Sequence, residues 1–398
     1  MLNELEGAGL LGMPYAIKLG GYYSLCCLGF VGALAGFTGW ALAHCMYTYS
    51  PTGKRRRVRD NYSSVGKACY GPKGERAVKY VQMVNLTSVG IVYLVLVAST
   101  MSPLVDLSNH LTFLNHLSNA NQRYWAVVAT LVVLPTVHIG GYKKLAVMSA
   151  LGVLCLSAIF ILGTYYSIDK IKTDGAAAMP ILGEEESALW SLPAAFSMFV
   201  FAFSAHGIFP DLEASMENPA SFGSVVSVVF VLNILVKVTF ALAGVLAFGT
   251  DTDEILTTNL PSAPRLAVSC LIVANTLLSF PLPLVPVFRM LKKRSDDCDD
   301  DYSSSVQAIQ RTLVVLFCGL VAASLPSFSL AMGFMGSLTL PFLTFIFPAL
   351  FYYKLHVNGE NNSSSLIKIV LIIVVVVGFL GLVSGLVSNA AIASGWDE

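Results

Sequence analysis

Two short stretches hold the residues whose types and spacing could do chemistry. Gly7–Tyr15 reads GAGLLGMPY, with three glycines and Pro14 among apolar side chains. Farther along, Ser204-Ala205-His206-Gly207 is followed by Pro210. Each stretch sets small residues and glycine just before a proline, the composition of a helix that unwinds. Unwinding frees backbone N–H and C=O groups. The N-terminal end of a half-helix then favours a carboxylate, and a C-terminal end offers carbonyls to an ammonium or a cation. A solute carrying both charges suits the pair, and small residues let it approach the backbone. The candidate binding residues are therefore Gly7, Ala8, Gly9, Leu10, Phe203, Ser204, His206 and Gly207, with Pro14 and Pro210 marking the helix breaks.

The elements that must position these residues are membrane spans. The chain has 398 residues, 55% hydrophobic and 12% charged, and its mean hydropathy is +0.70. A soluble domain carries about twice that charge. Net charge is zero, so no basic surface for nucleic acid is expected. Ile369–Val387 (IVLIIVVVVGFLGLVSGLV) is apolar apart from one serine and small residues, and a bilayer crossing takes about 20 such residues. The first residues are acidic and polar, unlike a basic leader, so no signal peptide is expected. The cysteines lie mostly in apolar stretches and read as small fillers, not as a disulfide framework.

Glycine, proline and charge clusters divide the chain into eleven expected spans: 3–19, 22–48, 78–105, 123–138, 143–167, 188–210, 222–248, 262–288, 311–325, 328–353 and 367–389. The loop 51–79 carries nine of the 24 Lys and Arg. Its side of the membrane collects 18 against five on the other, which predicts a cytosolic start and a luminal Glu398. Breaks in spans 1 and 6 stand five spans apart. Transporters built from inverted repeats place discontinuous helices in corresponding positions of both halves, with the substrate between them. The expectation is one all-α polytopic domain over 1–398. Repeat one covers 3–167, repeat two 188–353, and an extra helix 367–389.

Polar residues inside spans are costly unless they face a partner or a cavity. His206 titrates near physiological pH, so it is a candidate for binding or relaying a proton; hydrogen bonding to freed backbone is the alternative. Asn275, Thr276 and Ser279 lie in span 8, with 275 and 279 on one helical face. Tyr93 is a candidate lid over a bound solute, and Asn85 and Ser88 are weaker candidates. Lys237 lies about 15 residues into span 7, too deep for snorkelling, so its ammonium is expected to pair inside the bundle or to line a cavity. Glu4 and Glu6 are expected at the surface near the cytosolic end of span 1, with a gating or proton role as the alternative. No nucleophile–base set, metal-ligand cluster or phosphate loop stands out, and Gly7-Ala8-Gly9 lacks the third glycine of a dinucleotide fingerprint. No enzyme activity, metal or organic cofactor is expected.

The chain resembles the amino acid/auxin permease family, within it the branch of the vesicular inhibitory and vacuolar amino-acid transporters. The likeness rests on Asn3 with Gly7–Ala16 (GAGLLGMPYA) and Gly20-Gly21, on Leu134–Thr136 (LPT), and on Lys144–Leu154 (KLAVMSALGVL). It continues through Phe201–Met216 (FAFSAHGIFPDLEASM), Asn218-Pro219, Thr257–Pro261 (TTNLP), Leu278–Pro283 (LSFPLP) and Gly333–Pro341 (GFMGSLTLP). The resemblance implies secondary active amino-acid transport on a LeuT-like fold of five-plus-five inverted repeats with eleven helices. In such a fold helix 8 faces helix 1. That makes Asn3, Asn275, Thr276 and Ser279 candidates for handling a coupling ion, while for His206 the resemblance implies the binding region and its candidacy for a coupling proton rests on its titration alone. Relatives begin with a cytosolic tail and a full first half of helix 1, whereas one turn precedes Gly7 here, so the tail is expected to be missing from this sequence. The expected activity is proton-coupled transport of small neutral amino acids across a vesicle or vacuolar membrane, by a monomer. The alternatives are a Na⁺-coupled importer at the plasma membrane and a non-transporting amino-acid sensor.

Overall fold

A computed structural model describes residues 1–49, 55–107, 119–139, 142–178, 188–291, 300–357 and 365–394. Helices dominate it. The first segment divides into α1 (Leu2–Glu6) and α2 (Met13–Gly20), followed by α3 (Tyr23–Cys45). A short antiparallel hairpin, β1 (Tyr47–Tyr49) and β2 (Arg55–Arg57), leads to α4 (Tyr62–Met101). Then come α5 (Ala120–Val133), α6 (Tyr142–Asp174), α7 (Ala188–Ala202), α8 (Phe209–Ala214) and α9 (Phe222–Phe248). The remainder is α10 (Ser262–Ser279), α11 (Pro281–Leu291), α12 (Asp300–Ser324), α13 (Phe328–Leu338), α14 (Phe347–Tyr352) and α15 (Ser365–Ser394).

Among the described residues eight helices are long and apolar enough to cross a membrane, or nine when the bent pair formed by α13 and Pro341–Val357 counts as one. The two expected spans outside that number are short for different reasons. Span 1 is cut by the non-helical Gly7–Gly12, leaving pieces of five and eight residues. The fourth is α5, of 14 residues, which ends at Val133, with Leu134 as its cap before Pro135.

Proline accounts for further departures from the expected spans. The helix expected over 328–353 bends by 42° between Leu338 and Pro341, where a π-helical turn, Pro341–Ile346, follows. The basic stretch 51–79, read as a loop, is helical from Tyr62. Asn61 opens that helix with a capping box to Ser64, and Tyr70–Gly71 then kinks it just before Pro72. Gly71 takes φ 65, in the left-handed region that favours glycine.

Burial separates centre from periphery. In the apolar window of Ser191–Ala214, 78% of residues are buried inside the protein, against 22% for Ser365–Ser394. The segment broken at 203–208 is thus central, and α15 is peripheral, with Ile372, Phe379 and Leu380 exposed. On α9 the faces divide by chemistry. Val228, Val231 and Leu235 point outward, while Asn233, Lys237 and Phe240 are buried. In hydrocarbon that pattern keeps the polar side chains on protein partners.

Candidate functional site

The two breaks meet at the centre of the bundle. Between α1 and α2 the amides of Gly7 and Leu10 bond back to the carbonyls of Asn3 (3.1 Å) and Glu6 (3.2 Å). Those of Ala8 and Gly9 have no backbone partner among the described residues. Beyond α7 the chain leaves the helix at Phe203–Ala205, makes a 3₁₀ turn at His206–Ile208 and re-enters as α8. The freed carbonyl of Gly207 accepts a hydrogen bond from Gln82 Nε2 of α4. Gly9 lies against α7: a Cβ there would stand 2.8 Å from Ala202 Cα. Only glycine allows that approach, because backbone cannot move aside as a flexible side chain can.

A small cavity of about 30 Å³ lies between the breaks. Of the predicted binding residues, Ala8, Gly9, Tyr93, Ser204 and Gly207 line it, together with Asn85. Glu4 lines it too, and its Oε1 is buried without a hydrogen-bond partner. Ala8 and Gly9, whose amides lack a backbone partner, and the acidic Glu4 thus share the wall with Tyr93 and Ser204, and Ser204 Oγ also accepts from Thr344 Oγ1 at 3.3 Å. Such a wall can hold a zwitterion, with amides toward its carboxylate and an acidic oxygen toward its ammonium.

The other predicted residues lie elsewhere. Gly7 packs against the Tyr93 hydroxyl, which a Cβ at Gly7 would approach to 2.7 Å. Leu10 belongs to the core, and Phe203 stacks on Phe230. His206, expected in the binding region, turns away from the cavity toward α3. Its Nε2 lies 3.1 Å from Thr38 Oγ1 and its ring stacks on Phe209 at 4.9 Å, leaving Nδ1 unpartnered. Pro14 and Pro210 each stand at the first turn of the helix after a break, where a missing N–H costs nothing. Ser88 bonds the Val84 carbonyl of its own helix at 2.7 Å.

Asn3, Asn275 and Ser279 come together between α1 and α10. Asn3 Nδ2 donates to Ser279 Oγ at 2.9 Å, and Asn275 Oδ1 lies 3.2 Å from the same hydroxyl. Gly152 of α6 sits over them, since a Cβ there would stand 2.8 Å from Asn3 Oδ1. The neighbouring Thr276 hydroxyl is buried without a partner.

The expectation that Glu6 is at the surface is overturned. Glu6 is 8% exposed, and its carboxylate faces α9. Asn233 Nδ2 donates to Glu6 Oε1 at 2.8 Å, and Lys237 Nζ lies 3.4 Å from Oε2. Glu4 is half-buried at the cavity wall, not at the surface. Sequence gives no signal for either, because a helix that breaks after one turn changes which face its acids present. Gln82 and Asn233 escape notice for a similar reason: an amide in an apolar run is marked as costly, but not by which partner.

A second buried acid ties α8 to the hairpin. Glu213 is fully buried, receives a hydrogen bond from Tyr47, and lies 2.8 Å from Arg57 Nε. The Arg57 N–H is not aligned on the carboxylate, so this contact is an ion pair, not a directed hydrogen bond.

Fold and cavity together define a multi-pass helical membrane protein with a small cavity between two broken helices. Residues 1–389 match the family described as transmembrane amino acid transporter protein, and the chain belongs to that family. It is similar to the vesicular inhibitory amino acid transporter of Xenopus laevis, at 30% identity over 89% of this chain and 68% of the relative. The human protein of that name is 29% identical over 89% of this chain and 67% of its own length. The amino acid transporter AVT1E of Arabidopsis thaliana is 27% identical over 96% of this chain and 70% of its own. These are transporters, not enzymes.

Proposed function

We propose that the chain moves small neutral amino acids across an intracellular, vesicle- or vacuole-type membrane, driven by a proton gradient, through alternating access to the cavity between the two broken helices. The observation that carries this reading is the cavity wall, where Ala8 and Gly9, whose amides have no backbone partner among the described residues, stand with Glu4, whose Oε1 has no hydrogen-bond partner. That pairing matches the two charges of an amino acid. At about 30 Å³ the space is closed around little more than water, so in this reading the two breaks part to admit a solute. Relatives named as vesicular support the intracellular membrane. In this reading the chain crosses the bilayer eleven times, as two inverted five-helix repeats (3–167 and 188–353) and a final helix. Its N-terminus is cytosolic, its C-terminus luminal, and it works as a monomer.

Coupling to Na⁺ is a second reading, favoured by the oxygens gathered from Asn3, Asn275, Thr276 and Ser279. One experiment tests both. Purified protein in proteoliposomes is given a panel of radiolabelled amino acids under an imposed proton gradient, with Na⁺ present or replaced by choline. Gradient-driven uptake of a small neutral amino acid in choline is expected. Uptake that needs Na⁺ and ignores the proton gradient would select the second reading. Binding without flux would make the protein a sensor.

A further inference from the structure

We infer that the Lys237 ammonium is a resident cation, filling the position at the helix-1 break that an alkali-metal ion would otherwise take. The inference deepens the proposed transport reading and rests on it for its role in coupling. Lys237 is fully buried on α9. Its Nζ donates to Leu5 O at 2.7 Å and to Asn233 Oδ1 at 2.7 Å, and it lies 3.4 Å from Glu6 Oε2. Those acceptors are a backbone carbonyl at the C-terminal end of a half-helix, an amide oxygen and a carboxylate. A hard monovalent cation at a broken membrane helix takes the same donors. An ammonium has three protons to donate, and these three acceptors use them all. The face of Phe203 covers the charge, with Nζ 5.2 Å from the ring centroid.

The carboxylate is held in turn. Asn233 Nδ2 donates to Glu6 Oε1 at 2.8 Å, so one asparagine grips both ions of the pair. Asn233 and Lys237 stand one turn apart on α9, which aims both at the same point of α1. Leu5 is also part of the cavity wall, and Phe203 is the first residue past α7 at the other break. The ammonium thus joins α9 to the chain on either side of the cavity. A cation tethered by its own side chain cannot dissociate during the cycle, so no alkali-metal ion is needed at this position.

The test removes the tether and asks whether a free ion takes its place. Thermal melting of the purified full chain is compared in sodium chloride and in equimolar choline chloride for wild type, Lys237→Ala and Lys237→Met. Lys237→Ala leaves Leu5 O, Asn233 and Glu6 facing an opened space. It is expected to melt about 5 °C or more below wild type in choline, because a buried carboxylate has lost its partner, and to regain at least half of that in sodium. Lys237→Met removes the charge but fills the space, so sodium should give it no recovery. The double change Glu6→Gln with Lys237→Met removes both charges and should melt above Lys237→Met alone in either salt. The inference is overturned if sodium raises Lys237→Ala no more than it raises wild type and Lys237→Met. It is equally overturned if Lys237→Ala yields no folded protein in either salt. The comparison needs no transport. Failure of wild type to carry any amino acid would therefore overturn the transport reading and leave this result standing.

Discussion

Gly9 and Ala202 touch backbone to backbone, and through them the two broken helices close on one another. A methyl group at Gly9 would stand 2.8 Å from Ala202 Cα and 3.0 Å from its Cβ. Neither atom can move without shifting α7. Gly9→Ala should therefore cut amino-acid uptake by tenfold or more, on the order of the rate loss expected when a binding geometry is displaced by about 1 Å. Gly29, whose added methyl would meet nothing within 4 Å, is the control, and Gly29→Ala should leave uptake unchanged. Proteoliposome uptake compared at equal amounts of folded protein checks both.

Gly7 and Tyr93 form a similar contact with a different remedy. A Cβ at Gly7 would meet the Tyr93 hydroxyl at 2.7 Å, but that oxygen is the end of a side chain. Gly7→Ala should destabilise the fold by about 1–3 kcal/mol, as overpacking does. Adding Tyr93→Phe removes the clashing atom and should recover most of the loss. A double-mutant cycle of melting temperatures measures the coupling; purely additive effects would show that the two residues do not meet.

Gln82 holds the second break open. Its amide donates to the carbonyl of Gly207, a group that unwinding leaves without a helical partner. Gln82→Leu strands that carbonyl in the protein interior, at a cost of about 1–3 kcal/mol. Lower thermal stability and weaker apparent substrate affinity are both expected, because Gly207 lines the cavity.

Arg57 balances a carboxylate that has no access to water. Glu213 is fully buried, and Arg57 and Tyr47 are its partners from the hairpin. Arg57→Ala leaves the charge buried and uncompensated, so a loss of about 3–5 kcal/mol is expected, against about 1 kcal/mol for Tyr47→Phe. Arg57→Ala combined with Glu213→Gln should be more stable than Arg57→Ala alone. Equal melting temperatures for those two variants would show that the ion pair does not tie α8 to the hairpin.

Glu254 makes a third kind of link, between a loop and a helix end. Its carboxylate accepts from the amides of Phe328 (3.1 Å) and Ser329 (3.2 Å) at the start of α13. Nearby, Lys18 Nζ donates to Thr252 O at 3.0 Å, so the loop after α9 is fastened to α2 as well. Glu254→Ala should lower stability by about 1 kcal/mol, the usual effect of losing a helix N-terminal acceptor. Glu254→Gln, which keeps an oxygen, should lose less. Chemical or thermal unfolding of the two variants separates them.

The sequence alone determined the solvent this chain folds in and the places where its helices give way. Runs such as Ile369–Val387 have no other home than lipid, and the Gly/Pro spacing at 7–14 and 207–210 marks breaks that the fold contains. Both are local properties, set by side-chain transfer and backbone freedom. Periodicity could not say which polar side chains face the cavity. His206 sits at a break yet turns to Thr38, while Glu6, one residue from the other break, is drawn inward to Asn233 and Lys237. A 3₁₀ turn advances about 120° per residue where an α-helix advances about 100°, so direction is lost within a few residues of unwinding. Only packing restores it. Gly9 meets Ala202, Gln82 reaches Gly207, and Asn3 finds Ser279 across 276 residues of sequence. The first is a steric fit between backbones; the other two arise because a polar group in lipid must find a partner, and the partner is supplied by a helix far away in the chain.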